Sequence, residues 1–557
     1  MKKSISLGSC LLALILGYLP TTAFADIPKY DLPTAGSLLS ELEPERHITP
    51  KPEKPVVDVK IAEKTAKLPA MEIQVDKINF VSDDFDVNQE LQQFSHGKLG
   101  KKMNFDQLQE IAVDASIYLR SKGYMTAICY LPPQEIVNNT VTIKVLIGRY
   151  ADVEINNKSK MTDGRVLGYT YPIRPGQLIE GNPLDKTLLI LNDIPGIKAR
   201  ATLQPGQKTG TAKIVLDVQC LEEQGSYAYV DNYGSKSTGE YRYGASYHYN
   251  NLSHVGDQFQ INYLQSNEDM QNYSLQYKIP VGRDGAAARI AYSKMNYELG
   301  STYKQYDAEG WANTFEVGLT VPMERTLNKS SFYDIAYRNR KLTDKMFNGG
   351  YDTRKHSDVI DLGINGYERN DKTSTSYSFA HSLGEMSMDN AFAQTGDFYN
   401  TDGFFQKTYA NFYHIRRLDD RFSLHFSLSG QYAWNNLDSS EKFYIGGPDG
   451  VRAFTTGESG GDSGILGALE LRYQTGKPEL QLTTFVDSGH AIYNKDTLPA
   501  AGENSRSLSG AGLGMIWNSS RDLYAKLDYA VPLGSDYARA EGKNVNGTLW
   551  FRLVKQF

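Results

Sequence analysis

Residues 422–434 read FSLHFSLSGQYAW. Phe422, Leu424, Phe426 and Leu428 alternate with Ser423, His425, Ser427 and Ser429, and the phase runs on through Gly430, Tyr432 and Trp434. A period of two is that of a β-strand with one apolar and one polar face. The pattern recurs on both sides of this stretch. Tyr243, Ala245, Tyr247 and Tyr249 alternate with Arg242, Gly244, Ser246 and His248. Leu523, Ala525, Leu527, Tyr529 and Val531 alternate with Tyr524, Lys526 and Asp528. An apolar face with aromatic ends, opposite a polar one, is the pattern of a membrane β-barrel. A soluble sandwich alternates too, but rarely over more than about 300 residues with so many tyrosines.

Composition agrees with that reading. Of the 37 tyrosines, 8 lie in residues 1–221 and 29 in residues 222–557. The mean hydropathy of -0.46 excludes a helical membrane protein, which needs repeated apolar runs of about 20 residues. A net charge of -6 argues against a nucleic-acid partner, and 22% charged residues of balanced sign argue against a disordered chain. At roughly 21 residues per strand and connection, residues 222–557 predict about 16 strands, an even number as a single bacterial chain favours.

The N-terminus reads as an export signal. Lys2 and Lys3 precede the apolar run Leu11–Leu16, and Ala23-Phe24-Ala25 is a small-x-small site. Cleavage is expected between Ala25 and Asp26. Cys10 stands before the apolar run, not after it, which argues against a lipoprotein. Cys129 and Cys220 remain. Two cysteines make no disulfide framework; Cys129 reads as a buried apolar residue, and a bridge between the two has no support.

Residues 26–70 predict a short helix at Ala35–Leu42 and an extended spacer marked by Pro50, Pro52 and Pro55. Residues 71–148 predict strand–helix–strand–strand order. The strand is Glu72–Val81. The helix, Asn104–Lys122, has Asn104 and Gln107 as a capping box, the stripe Leu108, Ile111, Ala115 and Leu119, and Gly123 as its stop. Strands Tyr124–Leu131 and Thr140–Ile147 follow. Residues 149–221 repeat the plan, with strand Ala151–Ile155, a helix opened by Asn182 and Pro183, and strands Ile197–Leu203 and Lys213–Val218.

Three elements late in the barrel carry a family resemblance. They are Gly446–Phe454 (GGPDGVRAF), Gly461-Asp462-Ser463-Gly464 with Glu470-Leu471-Arg472, and Phe485-Val486-Asp487-Ser488-Gly489. Their order resembles the Omp85/two-partner-secretion superfamily, specifically the hemolysin-activator and filamentous-hemagglutinin transporters. Val451, Arg452, Ala453 and Phe454 look like that family's Val-Arg-Gly-Phe/Tyr motif on a loop folded into the barrel. Phe485, Asp487 and Gly489 look like its Phe-x-Asp-x-Gly strand. Upstream, Gly123–Gln134 and Leu189–Gly196 look like parts of its two periplasmic POTRA domains.

The resemblance implies a mainly β fold: a signal peptide (1–25), a plug-like helix and linker (26–70), two α+β POTRA domains (71–148 and 149–221) and a barrel (222–557). Phe557, ending the last strand, resembles the assembly signal of outer-membrane barrels. Ala453 departs from the family's glycine, and a positive φ there would strain an alanine.

Asp487 is expected to face the lumen, because a charge on the lipid face costs about 2–4 kcal/mol near the midplane. A planar guanidinium such as Arg452 grips a carboxylate bidentately. An ordinary loop arginine near an ordinary lumen acid is the plainer alternative; the motif context favours the pair.

Hydrolase-like motifs are decoys. Gly457-Glu458-Ser459-Gly460-Gly461 matches G-x-S-x-G but lacks the strand–turn–helix context and an ordered Asp and His downstream. Gly234-Ser235-Lys236-Ser237-Thr238 lacks P-loop spacing. The nine histidines form no ligand cluster, so no metal and no cofactor are expected.

What the resemblance implies is an outer-membrane transporter without an enzymatic step. POTRA domains in the periplasm would receive an unfolded exoprotein (an adhesin, hemolysin or contact-dependent toxin), and the barrel would pass it outward without ATP. Outer-membrane lipid and the barrel-assembly machinery are the other expected partners. A barrel-assembly insertase and a passive porin or receptor are the alternatives. A porin would lack residues 71–221, and the bacterial insertase usually has more POTRA units.

Overall fold

The computed structural model describes residues 33–39, 57–59, 72–83, 87–208, 210–221, 224–498, 502–519, 522–534 and 546–557. The export signal, with Ala25 and Asp26, lies outside the described residues. Two short elements come first, α1 (Ala35–Leu38) and β1 (Val57–Val59).

The first α/β unit contains β2 (Ile73–Val75), β3 (Lys77–Ser82), α2 (Asn88–Leu91), β4 (Lys101–Met103), α3 (Phe105–Ser121), β5 (Ile128–Tyr130) and β6 (Thr140–Leu146). Both capping-box bonds at the start of α3 are made: Gln107 N–H donates to Asn104 Oδ1 (2.9 Å) and Asn104 N–H to Gln107 Oε1 (3.0 Å). Its stripe, Leu108, Ile111, Ala115 and Leu119, is buried against Ile78 and Phe80 of β3 and Val141 and Ile143 of β6.

The expected strand Glu72–Val81 is two strands. Asp76 breaks it, its N–H bonding the Asn139 carbonyl (2.9 Å), so that β2 pairs β4 while β3 pairs β6. The strand expected over Tyr124–Leu131 pairs only at Ile128–Tyr130, because Ala127 N–H closes a turn onto the Tyr124 carbonyl (2.9 Å).

The second unit comprises β7 (Arg149–Lys158), α4 (Asp163–Gly168), α5 (Gly181–Asn192), β8 (Ile197–Pro205) and β9 (Thr211–Cys220). The α5 helix begins at Gly181, ahead of the expected Pro183, with Glu180 as N-cap. Its Leu184, Leu188 and Leu191 are buried with Ile197, Ala199, Ile214 and Leu216 of the sheet. The sheet order is β1-β8-β9-β7, so the linker contributes a strand that its proline-rich sequence does not announce. Cys129 and Cys220 are not joined by a disulfide. Cys129 is buried in the first unit, and burial pushes its thiol pKa up.

The remainder closes into an antiparallel barrel of 16 strands. In chain order they are β10 (Gln224–Asp231), β11 (Arg242–Asn250), β12 (Gln258–Ser266), β13 (Gln271–Val281), β14 (Ala286–Glu298), β15 (Glu309–Arg325), β16 (Lys329–Met346), β17 (Tyr351–Arg369), β18 (Thr373–Met388), β19 (Gly403–Arg417) and β20 (Phe422–Ala433). After a long loop holding the short pair β21 (Phe443–Tyr444) and β22 (Gly460–Gly461) come β23 (Ser463–Gln474), β24 (Leu480–Ile492), β25 (Ser505–Ser519), β26 (Leu523–Pro532) and β27 (Thr548–Gln556). Strands β10 and β27 close the ring, from Tyr227 opposite Gln556 to Asp231 opposite Arg552.

The alternation that opened the sequence reading sorts as a membrane barrel requires. Phe422, Phe426, Leu428, Tyr432 and Trp434 are exposed on the outside, while His425 and Gln431 are buried on the inner side. The tyrosines divide the same way: Tyr243, Tyr247, Tyr333, Tyr337 and Tyr529 face outward, and Tyr233, Tyr297, Tyr303 and Tyr306 are buried.

Candidate functional site

The connection between β20 and β23 turns into the barrel. It is anchored as a hairpin: Val451 N–H bonds the Ile445 carbonyl (2.7 Å), Gly446 N–H bonds the Glu458 carbonyl (3.1 Å), and β21 pairs β22. Gly447, at φ +111, makes the turn that a side chain would strain. Ile445, Val451, Ala453 and Phe454 are fully buried against Phe485, Leu508 and Ala530 of the wall.

Arg452 sits at the centre. Its Nε donates to Asp487 Oδ2 (2.9 Å) and its Nη2 to Asp487 Oδ1 (2.8 Å), a bidentate fork. Its backbone N–H reaches Asp487 Oδ2 as well (3.2 Å). Nη1 donates to Glu470 Oε2 at 2.7 Å and lies 3.5 Å from Asp528. The guanidinium lies 3.2 Å from the centroid of the Phe485 ring, a cation–π contact. Arg472 bonds Glu470 (2.7 Å) and Lys526 lies 3.4 Å from Asp528. Three cations therefore face three carboxylates from β23, β24 and β26. Such a balance suits a buried cluster, where an unpaired charge costs several kcal/mol.

The four residues of the loop motif and the three of the strand motif are thus brought together. Phe485, Asp487 and Gly489 point inward, while Val486 and Ser488 between them are exposed. Ala453 does not take a positive φ, so the alanine is unstrained. Its room comes from the wall: a Cβ added at Gly510 would stand 2.6 Å from Ala453 Cβ. Thr548 Oγ1 donates to the Ala453 carbonyl (3.1 Å) and Trp550 Nε1 to the Arg452 carbonyl (2.7 Å), tying the loop to the last strand. Phe557 follows that strand, its side chain exposed and its N–H on the Ser226 carbonyl (2.9 Å).

A second lumen occupant is α1. Ala35 N–H donates to Asp344 Oδ1 (2.6 Å), which also accepts from Tyr297 OH (2.6 Å). Ala35 and Leu38 are buried among Met270, Met295, Tyr297 and Tyr303. Thr34 Oγ1 lies 3.0 Å from Ser439 Oγ, and a Cβ at Gly36 would meet that oxygen at 2.5 Å. The helix is therefore wedged between the wall and the Ser439–Glu441 turn of the inward loop. Residues 40–42 of the expected helix lie outside the described residues.

Sequence reading missed two anchors. Glu441 is buried and takes Arg338 (2.9 Å), Arg340 (3.0 Å) and Lys407 (2.8 Å). Asp344 receives the helix. Only the inward phase of Asp344, Arg338 and Arg340 on one strand hinted at either.

Ser459 and its glycines lead into β22 and a barrel strand, with no helix after them. Among the described residues no group of His, Cys, Asp or Glu is arranged to hold a metal.

Comparison with known proteins follows the same lines. Residues 210–516 match the model of the family "Haemolysin secretion/activation protein ShlB/FhaC/HecB". The chain belongs to that family. Residues 72–148 match a ShlB-type POTRA domain. The heme/hemopexin transporter protein HuxB of Haemophilus influenzae is 26% identical over 85% of this chain and 84% of its own length. The outer membrane transporter CdiB of Dickeya dadantii is 24% identical over 72% of each chain. The structure of CdiB from Escherichia coli superposes with a TM-score of 0.66 at 17% identity, covering 89% of this chain and 93% of that one.

The chain is thus an outer-membrane transporter of the two-partner secretion type, a 16-stranded barrel with POTRA-type structure on its periplasmic side. The family's members are transporters that act on secreted exoproteins.

Proposed function

We propose that the barrel passes an unfolded exoprotein outward while two resident occupants of its lumen, α1 and the Val451–Phe454 loop, yield to it. The observation that carries this reading is Arg452. A loop whose tip arginine is forked onto carboxylates of three strands stays in place at rest, and loss of that grip frees the tip to move. The α1 helix is the plug. Both α/β units, residues 71–148 and 149–221, act as POTRA domains that receive the cargo before it reaches the barrel. No enzymatic step enters the cycle, and folding of the cargo outside supplies direction.

The outward band of aliphatic and aromatic side chains faces outer-membrane lipid. The last strand, ending in Phe557, is what the barrel-assembly machinery reads. The cargo is a large exoprotein of the adhesin, hemolysin or contact-dependent toxin kind.

Deleting the gene and comparing culture media tests the reading. One large secreted protein disappears, and the full chain restores it. A chain without residues 71–221 inserts in the membrane but does not restore it. Restoration by the barrel alone would refute the role of the two units.

A further inference from the structure

The second unit meets the barrel at the ends of β13 and β15, where Arg165 reaches the Pro280 carbonyl (2.7 Å) and Arg325 reaches Asp193 (2.7 Å). The opposite ends of β14–β17 therefore lie at the cell surface. Toward that end the outward face changes character. On β14 it passes from Ile290 and Tyr292 to Lys294, and on β16 from Ile335 and Tyr337 to Lys341. An apolar band that gives way to aromatic and then charged side chains marks a membrane interface.

The register sets three of these polar residues in one row. Lys294 stands opposite Asn313 of β15, and Asn313 stands opposite Lys341. Neighbouring strands lie about 4.8 Å apart, so the two lysine stems flank the asparagine at roughly 10 Å from each other. Both lysines are exposed, and neither forms a hydrogen bond or ion pair among the described residues. The Tyr292 hydroxyl donates to Asn313 Oδ1 (3.2 Å), which leaves Asn313 Nδ2 to donate. The row thus offers two ammonium groups and an amide N–H at the depth of lipid headgroups. We propose that it binds the phosphate of a phosphorylated glycolipid in the outer leaflet.

The surrounding charges are engaged elsewhere. Higher on the same face, Lys345 is held by Glu309 (3.6 Å) and covers the Trp311 ring (4.8 Å from its centroid). His356, next in the row after Lys341, is bonded to Asp389 (2.6 Å). Asp358, diagonal to Lys341, accepts from Asn339 Nδ2 (2.8 Å) and from the Tyr337 hydroxyl. The patch is also local. Among the described barrel strands, the outward-facing lysines of the extracellular half lie on β14 and β16 alone. A lysine head is a compact charge that takes a phosphate without a fixed angle of approach. Its stem can lie along the apolar band while the head stays in the headgroup layer. Trp311, one outward step above Asn313, sets an aromatic ring beside the phosphate, which suits the apolar C–H face of a sugar better than a glycerol headgroup.

The assignment rests on the outward band facing lipid. Its test needs neither cargo nor export: native mass spectrometry of the detergent-purified full chain, titrated with a diphosphorylated disaccharide lipid. The native chain retains the lipid. Lys294→Gln and Lys341→Gln each weaken retention roughly fivefold, and the double variant weakens it at least tenfold. Lys329→Gln removes a lysine from the periplasmic rim and leaves retention unchanged. The same lipid without its phosphates binds the native chain no better than the phosphorylated lipid binds the double variant. All variants migrate as heat-modifiable barrels, because the altered side chains face outward and hold nothing in the fold. Undiminished retention by the double variant overturns the site. Equal retention of phosphatidylglycerol overturns the glycolipid as its occupant, and displacement by millimolar inorganic phosphate overturns a lipid as the source. A failure on any of these counts leaves the transport reading standing, since secretion is measured separately.

Discussion

At the scale of single residues, Arg452 is the group whose loss is most clearly readable. Truncating it leaves Asp487, Glu470 and Asp528 buried with one cation fewer, and breaking a buried pair this way costs about 3–5 kcal/mol. That energy belongs to the seating of the loop, since the 16-strand hydrogen-bond ring is untouched. Arg452→Ala is therefore expected to fold and migrate as a heat-modifiable barrel while secreted cargo falls at least tenfold. Arg452→Lys keeps the charge but loses the fork, and is expected between the two. Normal cargo levels in the alanine variant would sink the role given to the loop. A second pair tests the packing. Gly510→Ala sets two Cβ atoms 2.6 Å apart, so it is expected to unseat the loop and impair export. Ala453→Gly, harmless alone because Ala453 has no positive φ, should restore it. An unrescued double variant would mean that Gly510 acts elsewhere.

At the scale of elements, α1 is too short to be a stable helix by itself, so its seat defines it. Removing residues 33–39 is expected to raise single-channel conductance in planar bilayers. Asp344→Asn keeps the shape but weakens the charge-assisted bond to Ala35 N–H, and should raise the frequency of openings without changing their size. An unchanged trace in both would remove the plug from the account. The same contrast between local and borrowed stability decides what was legible in the sequence. The α3 helix carries its own caps and stripe, and it appears within one residue of its expected bounds. The barrel strands carry their own alternation. By contrast, Glu72–Val81 looks continuous because nothing local shows that Asn139, far along the chain, claims the Asp76 N–H. The β1 strand is three residues in a proline-rich spacer, and only the edge of β8 makes it a strand. The bidentate arginine was foreseeable from Asp487 facing inward. The Glu441 cluster was not, because a loop residue has no phase until the loop has folded.

At the scale of the whole molecule, the second unit is fastened to the periplasmic mouth of the barrel. Arg325, at the end of β15, donates from Nε and Nη2 to Asp193 (2.7 and 2.6 Å) and from Nη1 to Ser330 (2.8 Å) and Tyr367 (3.0 Å). Asp193 follows α5 directly. Arg165 of α4 reaches the Pro280 carbonyl (2.7 Å), and Tyr171 bonds Asp284. Ile194 packs so closely on Gly256 that a Cβ there would stand 2.7 Å away. Between these contacts, α5, β8 and the barrel's periplasmic turns line an open cleft of about 590 Å³, next to the strand edge that the linker covers. The Arg325 side chain is 4% exposed and that of Asp193 47%. Half-exposure of the acid discounts the pair to about 1–2 kcal/mol, enough to hold an orientation but too little to forbid motion. Asp193→Asn is expected to broaden the distance distribution between a spin label on the second unit and one on the barrel's turns, and to lower export two- to fivefold. Lys329→Ala breaks a 2.7 Å pair with Glu324 at the same mouth. That pair is exposed and joins two barrel strands, so this variant should leave both measurements unchanged. If the two variants behave alike, the Arg325–Asp193 contact does not orient the unit, and the Arg165–Pro280 and Tyr171–Asp284 bonds with the Ile194–Gly256 packing must hold it.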